Sequence, residues 1–136
     1  MANKPERIVI DTNIFISFLI SDSFSKLDEY LQTNKVRLLF SDELLNEFLA
    51  VVSRPKLKKY FSGKDISKLL DSIQDHADFI EVISQVNNCR DKKDNFLLAL
   101  CSDGKADFLI TGDTDLLVLK KFKRTTILKI TDFLKK

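Results

Sequence analysis

Ile8-Val9-Ile10-Asp11-Thr12-Asn13 near the start of the chain and Phe108-Leu109-Ile110-Thr111-Gly112-Asp113-Thr114-Asp115 towards its end decide the fold. In each, a short unbroken apolar run delivers an aspartate at its carboxyl end. Unbroken apolar runs of this length read as strands covered on both faces, the condition of a parallel sheet. In a parallel sheet all carboxyl ends lie along one edge, where such folds bind ligands. Asp11 and Asp113 are therefore expected close together in space, although most of the chain separates them.

The rest of the sequence supplies the partners these strands need. Strands are expected at 7–10, 36–40, 79–83, 108–111 and 126–130. Between them lie helical periodicities at 13–20 and 24–31, and another at 64–77 with Ile66, Leu69, Leu70 and Ile73 on one face. Ser41 has the character of an N-cap for a helix reaching about Ser53, and Pro55 closes it. Residues 94–102 form a strongly apolar helix ending before Gly104, and 132–134 add a last turn. Strands alternating with helices imply an α/β fold with a central, mainly parallel sheet of four to five strands. At 136 residues the chain is expected to form one domain, 1–136.

Composition narrows the function. With 44% hydrophobic residues, including eleven Phe and no Trp, the chain can fold on an aromatic-rich core without disulfides or zinc. Charged residues make up 31% with a net of +2, which does not by itself announce nucleic-acid binding, but clustered carboxylates would leave the remaining surface more basic. Cys89 and Cys101 adjoin apolar segments and read as free thiols in a reducing compartment. A lone His76 argues against His-rich zinc chemistry and a Ser-His-Asp triad. No stretch approaches the roughly 18 apolar residues of a membrane span, and the polar start carries no signal-peptide pattern. A cytoplasmic location without membrane partners is the expectation.

Two further acids join the candidate site. On the helix from Ser41, Leu44, Leu45, Phe48, Leu49, Val51 and Val52 fill one arc; Glu47 sits at its margin and Glu43 further towards solvent. Asp94 opens the apolar helix with Leu97, Leu98 and Cys101 at i+3, i+4 and i+7, so it points inward, whereas Asp91 suits an N-cap. The bland alternative is that Asp11, Asp94 and Asp113 merely cap helices or complement a helix dipole. Converging carboxylates raise one another's pKa, so they protonate or recruit a cation. Oxygen donors without Cys or His suit Mg²⁺ or Mn²⁺, and such ions support water activation and phosphodiester hydrolysis.

At these residues the chain resembles a known family. Val9-Ile10-Asp11-Thr12-Asn13 looks like the opening motif of PIN domains. Ser41-Asp42-Glu43-Leu44-Leu45-Asn46-Glu47 with Ser53-Arg54-Pro55-Lys56-Leu57, then Arg90-Asp91-Lys92-Lys93-Asp94-Asn95, then 106–117, resemble in order the later motifs of one bacterial branch, similar to the VapC-type toxins of toxin–antitoxin pairs. Lys92 stands where relatives often carry Pro. The resemblance implies a three-layer α/β/α fold and a metal-dependent endoribonuclease. It makes Asp11, Glu47, Asp94 and Asp113 the acidic quartet, catalytic and metal-binding, with Asp115 an auxiliary ligand and Asn13 and Thr111 orienting the carboxylates. It also implies RNA as substrate, a protein antitoxin, and a homodimer or higher homo-oligomer.

Substrate contacts are weaker in the sequence. Lys92 and Lys93, beside the third acidic motif, are the candidates for RNA phosphates; Lys56, Lys58, Lys59, Lys120, Lys121, Lys123 and Arg124 read as solvated surface, and Tyr60 and Phe61 as packing residues. Two rivals are a catalytically silent PIN-like module that holds RNA or protein, and an aspartyl-phosphate enzyme or receiver on a similar sheet. The phosphatase pattern wants Asp two residues after the first Asp, where this chain has Asn13.

Overall fold

β1 (Glu6–Ile10) is the strand around which the chain is arranged. Ile8, Val9 and Ile10 are all buried, because β1 pairs in parallel with β2 (Val36–Phe40) on one side and with β4 (Phe108–Ile110) on the other. Beyond β2 lies β3 (Ala77–Phe79), and beyond β4 lie β6 (Thr125–Leu128) and β5 (Lys121–Phe122), giving the order β3-β2-β1-β4-β6-β5. The β5–β6 pair alone is antiparallel. The order turns back between β1 and β4, so the carboxyl ends of these two strands flank the switch point of the sheet, where a crevice opens. This computed structural model describes residues 5–20, 35–60, 74–87 and 89–135 and the isolated positions 29, 33, 67, 70 and 71.

The helices follow the strands. α1 (Thr12–Ile20) leaves β1 directly after Asp11. α2 (Asp42–Val52) starts after β2, with the Ser41 hydroxyl accepting the Leu44 N–H at 3.2 Å, the cap its sequence announces. Phe15 locks these pieces together: its ring meets Phe40 edge-on at 6.2 Å and Phe48 at 5.3 Å. α3 (Lys92–Asp103) is buried on nearly every side from Leu97 to Cys101. It ends in a Schellman-type turn, with the Ala106 N–H on the Cys101 carbonyl at 2.9 Å and Lys105 at φ 53°. At Gly104 an added Cβ would come within 2.8 Å of Leu39 and 3.0 Å of the Leu100 carbonyl, which is why this position carries no side chain. α4 (Thr114–Leu117) follows β4, and α5 (Ile130–Leu134) packs through Phe133 on Phe108 at 5.5 Å.

Two elements depart from the sequence reading. The third strand occupies 77–79 instead of 79–83. It pairs with β2 up to the Ile80 N–H, which donates to the Phe40 carbonyl at 2.8 Å. Beyond that point the Asp103 carboxylate takes the backbone, accepting from Ile83 N–H at 2.7 Å and Ser84 N–H at 2.8 Å. Among the described residues the sheet has six strands against the four to five expected, because β5 is only two residues long and has no alternation to read. Much of the expected helices at 24–31 and 64–77 lies outside the described residues; positions 29, 67, 70, 71 and 74–76 are helical. No helix among the described residues is long and apolar enough to cross a membrane, and both cysteines are free thiols.

Candidate metal centre

Asp11 leaves β1 with its N–H on the Ile110 carbonyl at 2.9 Å, so the β1–β4 ladder carries one residue past the strand and fixes where the carboxylate emerges. Thr111, directly after β4, donates its hydroxyl to Asp11 Oδ2 at 2.9 Å and accepts the Asp113 N–H at 3.0 Å. One threonine thus ties the first acid to the last across the switch point. Asn13 gives its backbone N–H to Asp11 and lines the cleft with an exposed side chain. Asp11 itself is only 7% exposed, and its Oδ1 has no hydrogen-bond partner.

Asp94 comes from the first turn of α3. Asp91 caps that helix by accepting the Lys93 N–H at 2.9 Å, which leaves Asp94 to face inward. The loop before it is held by Asn95, whose side chain accepts the Cys89 N–H at 2.8 Å and donates to its carbonyl at 3.0 Å. Asp94 is 2% exposed, and its Oδ2 is unpartnered. Asp113 caps α4 through the Asp115 N–H at 2.9 Å, so capping and cleft geometry coincide in one residue. One carboxylate oxygen each from Asp94, Asp113 and Asp115 lie within 4.8 Å of one another. Arg90 reaches Asp115 at 3.3 Å from a largely exposed position.

Glu47 arrives from α2. Thr12 donates its hydroxyl to Glu47 Oε2 at 3.0 Å, and Lys93 forms an ion pair with Oε1. Glu43 is exposed, as the helix phasing predicts. Asp11, Asn13, Lys93, Asp94, Gly112 and Asp113 line one cleft of about 450 Å³. Lys92 lines a neighbouring groove with Val82 and Phe96 instead. Thr12 and the Lys93–Glu47 pair are the contributors that sequence reasoning missed; neither type nor spacing marks them, since both contacts depend on how α1, α2 and α3 come together. Lys123 and Arg124 serve elsewhere, on Ser102 at 2.9 Å and on Asp107 at 2.8 Å.

The electrostatics follow from the crowding. Burial is the largest influence on Asp94 and, with the hydrogen bond it gives Asp113 when protonated and the charges of Asp113, Asp91 and Asp11, pushes its carboxyl up to about 7. Asp11 is also raised, first by burial and further by the Glu47 charge; Thr111, Lys93 and the Asn13 N–H pull the other way. Two buried carboxylate oxygens without donors are costly unless protonated or met by a cation. Their all-oxygen surroundings and the 4.8 Å span fit one divalent ion, whose bonds run about 2.0–2.6 Å. Asp94, Asp113 and Asp115 can hold it, with Asp11 beside them.

Comparison with known proteins agrees with this geometry. The chain is 33% identical over 117 residues to an uncharacterized protein of Methanocaldococcus jannaschii, an alignment covering 84% of this chain and 75% of that protein. The PIN domain family model matches residues 7–115. PIN domains are generally nucleases that use divalent metal ions and act on RNA. The match runs through every acid of the cleft, from the strand before Asp11 to Asp115, and the chain belongs to the PIN domain family.

Proposed function

We propose that this chain is a metal-dependent endoribonuclease, using Mg²⁺ or Mn²⁺ to hydrolyse RNA phosphodiesters, and that it acts as the toxin half of a toxin–antitoxin pair. The observation that carries the nuclease reading is the pair of buried, unpartnered oxygens, Asp11 Oδ1 and Asp94 Oδ2, on two acids lining one cleft at the switch point of the sheet. The toxin role is supported by the order and spacing of the four motifs alone.

In this reading Asp11, Asp94 and Asp113 are the reactive acids, Asp115 is an auxiliary ligand, and Glu47 supports them through its ion pair with Lys93. A bound divalent ion supplies an activated water and neutralises charge growing on the phosphodiester. The chain's own residues prepare that chemistry. Thr111 holds Asp11 and the Asp113 backbone in fixed relation. Thr12 holds Glu47, which lines the adjoining pocket with Lys93. Burial and its acidic neighbours raise the Asp94 carboxyl to about 7, so this residue favours a proton or a cation over a bare charge. Lys92 and Lys93 offer positive charge for the flanking phosphates of the strand.

Cleavage of labelled RNA oligonucleotides with millimolar Mn²⁺ tests the proposal. Internal cuts that vanish on chelation and in Asp94→Asn are expected; intact RNA under all conditions contradicts it.

A further inference from the structure

Glu47, in the pocket that adjoins the cleft, differs from Asp11 and Asp94 in having a lysine on one oxygen and a hydroxyl on the other. Both of its oxygens are engaged, Oε1 by Lys93 Nζ and Oε2 by the Thr12 hydroxyl. Asp11 and Asp94 each keep one buried oxygen without a partner, and the group of acids close enough to share one ion, Asp94, Asp113 and Asp115, does not include Glu47. The centre is therefore lopsided: Asp11 and Asp94 hold open carboxylate oxygens and Asp115 meets only the largely exposed Arg90, whereas Glu47 is closed in a half-buried ion pair.

Lys93 is well placed for more than surface charge. Its backbone N–H is fixed by the Asp91 cap, so its stem starts from a set point one residue before Asp94. Its side chain is only partly exposed, lines the cleft of Asp11, Asp94 and Asp113, and its charge bears on Asp11 as well as on Glu47. An ammonium has three donors. One serves Glu47, leaving others for an incoming oxygen. Two-ion phosphodiesterases place their cations about 3.5–4 Å apart and need carboxylates free to hold both. Here the carboxylate that would hold a second ion is already neutralised.

We infer that Lys93 is the second cation of this centre: the cleft takes one divalent ion on the Asp94–Asp113–Asp115 side, and the Lys93 ammonium, held by Glu47, stands in for a second ion and meets a non-bridging oxygen of the RNA phosphate. The inference rests on the metal-dependent nuclease reading above. It makes Glu47 a positioning residue for Lys93 and not a ligand of the ion.

Counting Mn²⁺ bound to the metal-stripped protein, by equilibrium dialysis at millimolar Mn²⁺ followed by elemental analysis, tests it without reference to activity. One ion per chain is expected in the wild type and in Lys93→Arg, which keeps the charge. Two are expected in Lys93→Met, where Glu47 and Asp11 lose their counter-charge. Glu47→Gln should keep the single ion, because Glu47 is not among the acids close enough to share it. Two ions in the wild type, or one in Lys93→Met, overturns the assignment of Lys93 and leaves the metal centre standing. No ion in the wild type removes the metal centre and the Lys93 assignment together.

Discussion

The two ends of the sheet use the same residue types to opposite effect. At the amino half, Asp78 and Asp107 are matched with cations, although Glu6 keeps one buried oxygen without a partner. Asp78 accepts from Arg7 at 2.9 Å and Arg37 at 3.0 Å; Asp107 accepts the Arg7 N–H at 2.9 Å and pairs with Arg124 at 2.8 Å. At the carboxyl end, Asp11, Asp94 and Asp113 crowd one cleft, two of them with an unpartnered buried oxygen. Partial burial works to raise Asp78, but hydrogen bonds and charge from Arg37 and Arg7 overcome it and hold the carboxyl below its usual value. Asp94 is driven the other way. The opposite shifts of Asp78 and Asp94 separate stability from function, and perturbed acids in a cleft mark the functional end.

Removing an acid from each end should separate these roles most sharply. Asp11→Asn or Asp94→Asn is expected to lower RNA cleavage by about a hundred- to a thousandfold, the scale of losing a group aimed at developing charge. The melting temperature of the metal-free protein should stay level or rise, since carboxylate repulsion is relieved. Asp78→Ala should do the reverse: cleavage unchanged at permissive temperature, stability lower by about 1–2 kcal/mol in a denaturant titration, because two guanidinium groups lose a partly exposed partner. Activity lost in Asp78→Ala with stability intact would break the contrast.

The pH dependence differs in sign between the regions. Asp94 holds in the fold a proton that the unfolded chain releases near 3.8. The folded state then binds more protons up to about pH 7, so this group makes the metal-free protein lose stability as pH rises from about 4 to about 7. Asp103, lowered first by its Ser84 hydrogen bond, and Asp78 act oppositely; their contributions are full above the unfolded carboxylate value and fade as pH falls through their lowered values. Melting curves in chelator should show a slope between pH 4 and 7 that becomes more positive in Asp94→Asn; an identical slope would mean Asp94 ionises normally.

The smallest effect separates two acids on one helix. Glu47→Gln should lower turnover by about tenfold, as loss of a supporting partner does, whereas Glu43→Gln, exposed at the rim of the pocket that Glu47 and Lys93 share, should leave it nearly unchanged. The opposite ranking would overturn the phasing of that helix.

Much of this was legible because local pattern and global fold agree. The runs of β1, β2 and β4 are buried on both faces and read so directly, and Ser41 capped its helix as its sequence announced. Asp94 was separable from Asp91 because the apolar residues after it set which one faces inward. What escaped depends on partners distant in sequence. β3 stops where Asp103 claims the backbone of Ile83 and Ser84. Thr12 and Lys93 meet Glu47 only once α1, α2 and α3 have packed. Arg7 and Arg37 look like surface charge until β3 brings Asp78 between them.

A thermal melt of the metal-stripped protein with and without Mn²⁺ addresses the acids most directly. At an ion concentration about 100 times Kd, binding to the folded state contributes about 2.7 kcal/mol, several degrees in Tm for a chain of this size. An upward shift in the wild type that disappears in Asp94→Asn is expected. An unchanged melting temperature at millimolar Mn²⁺ would contradict a divalent-cation centre at the carboxyl end of the sheet.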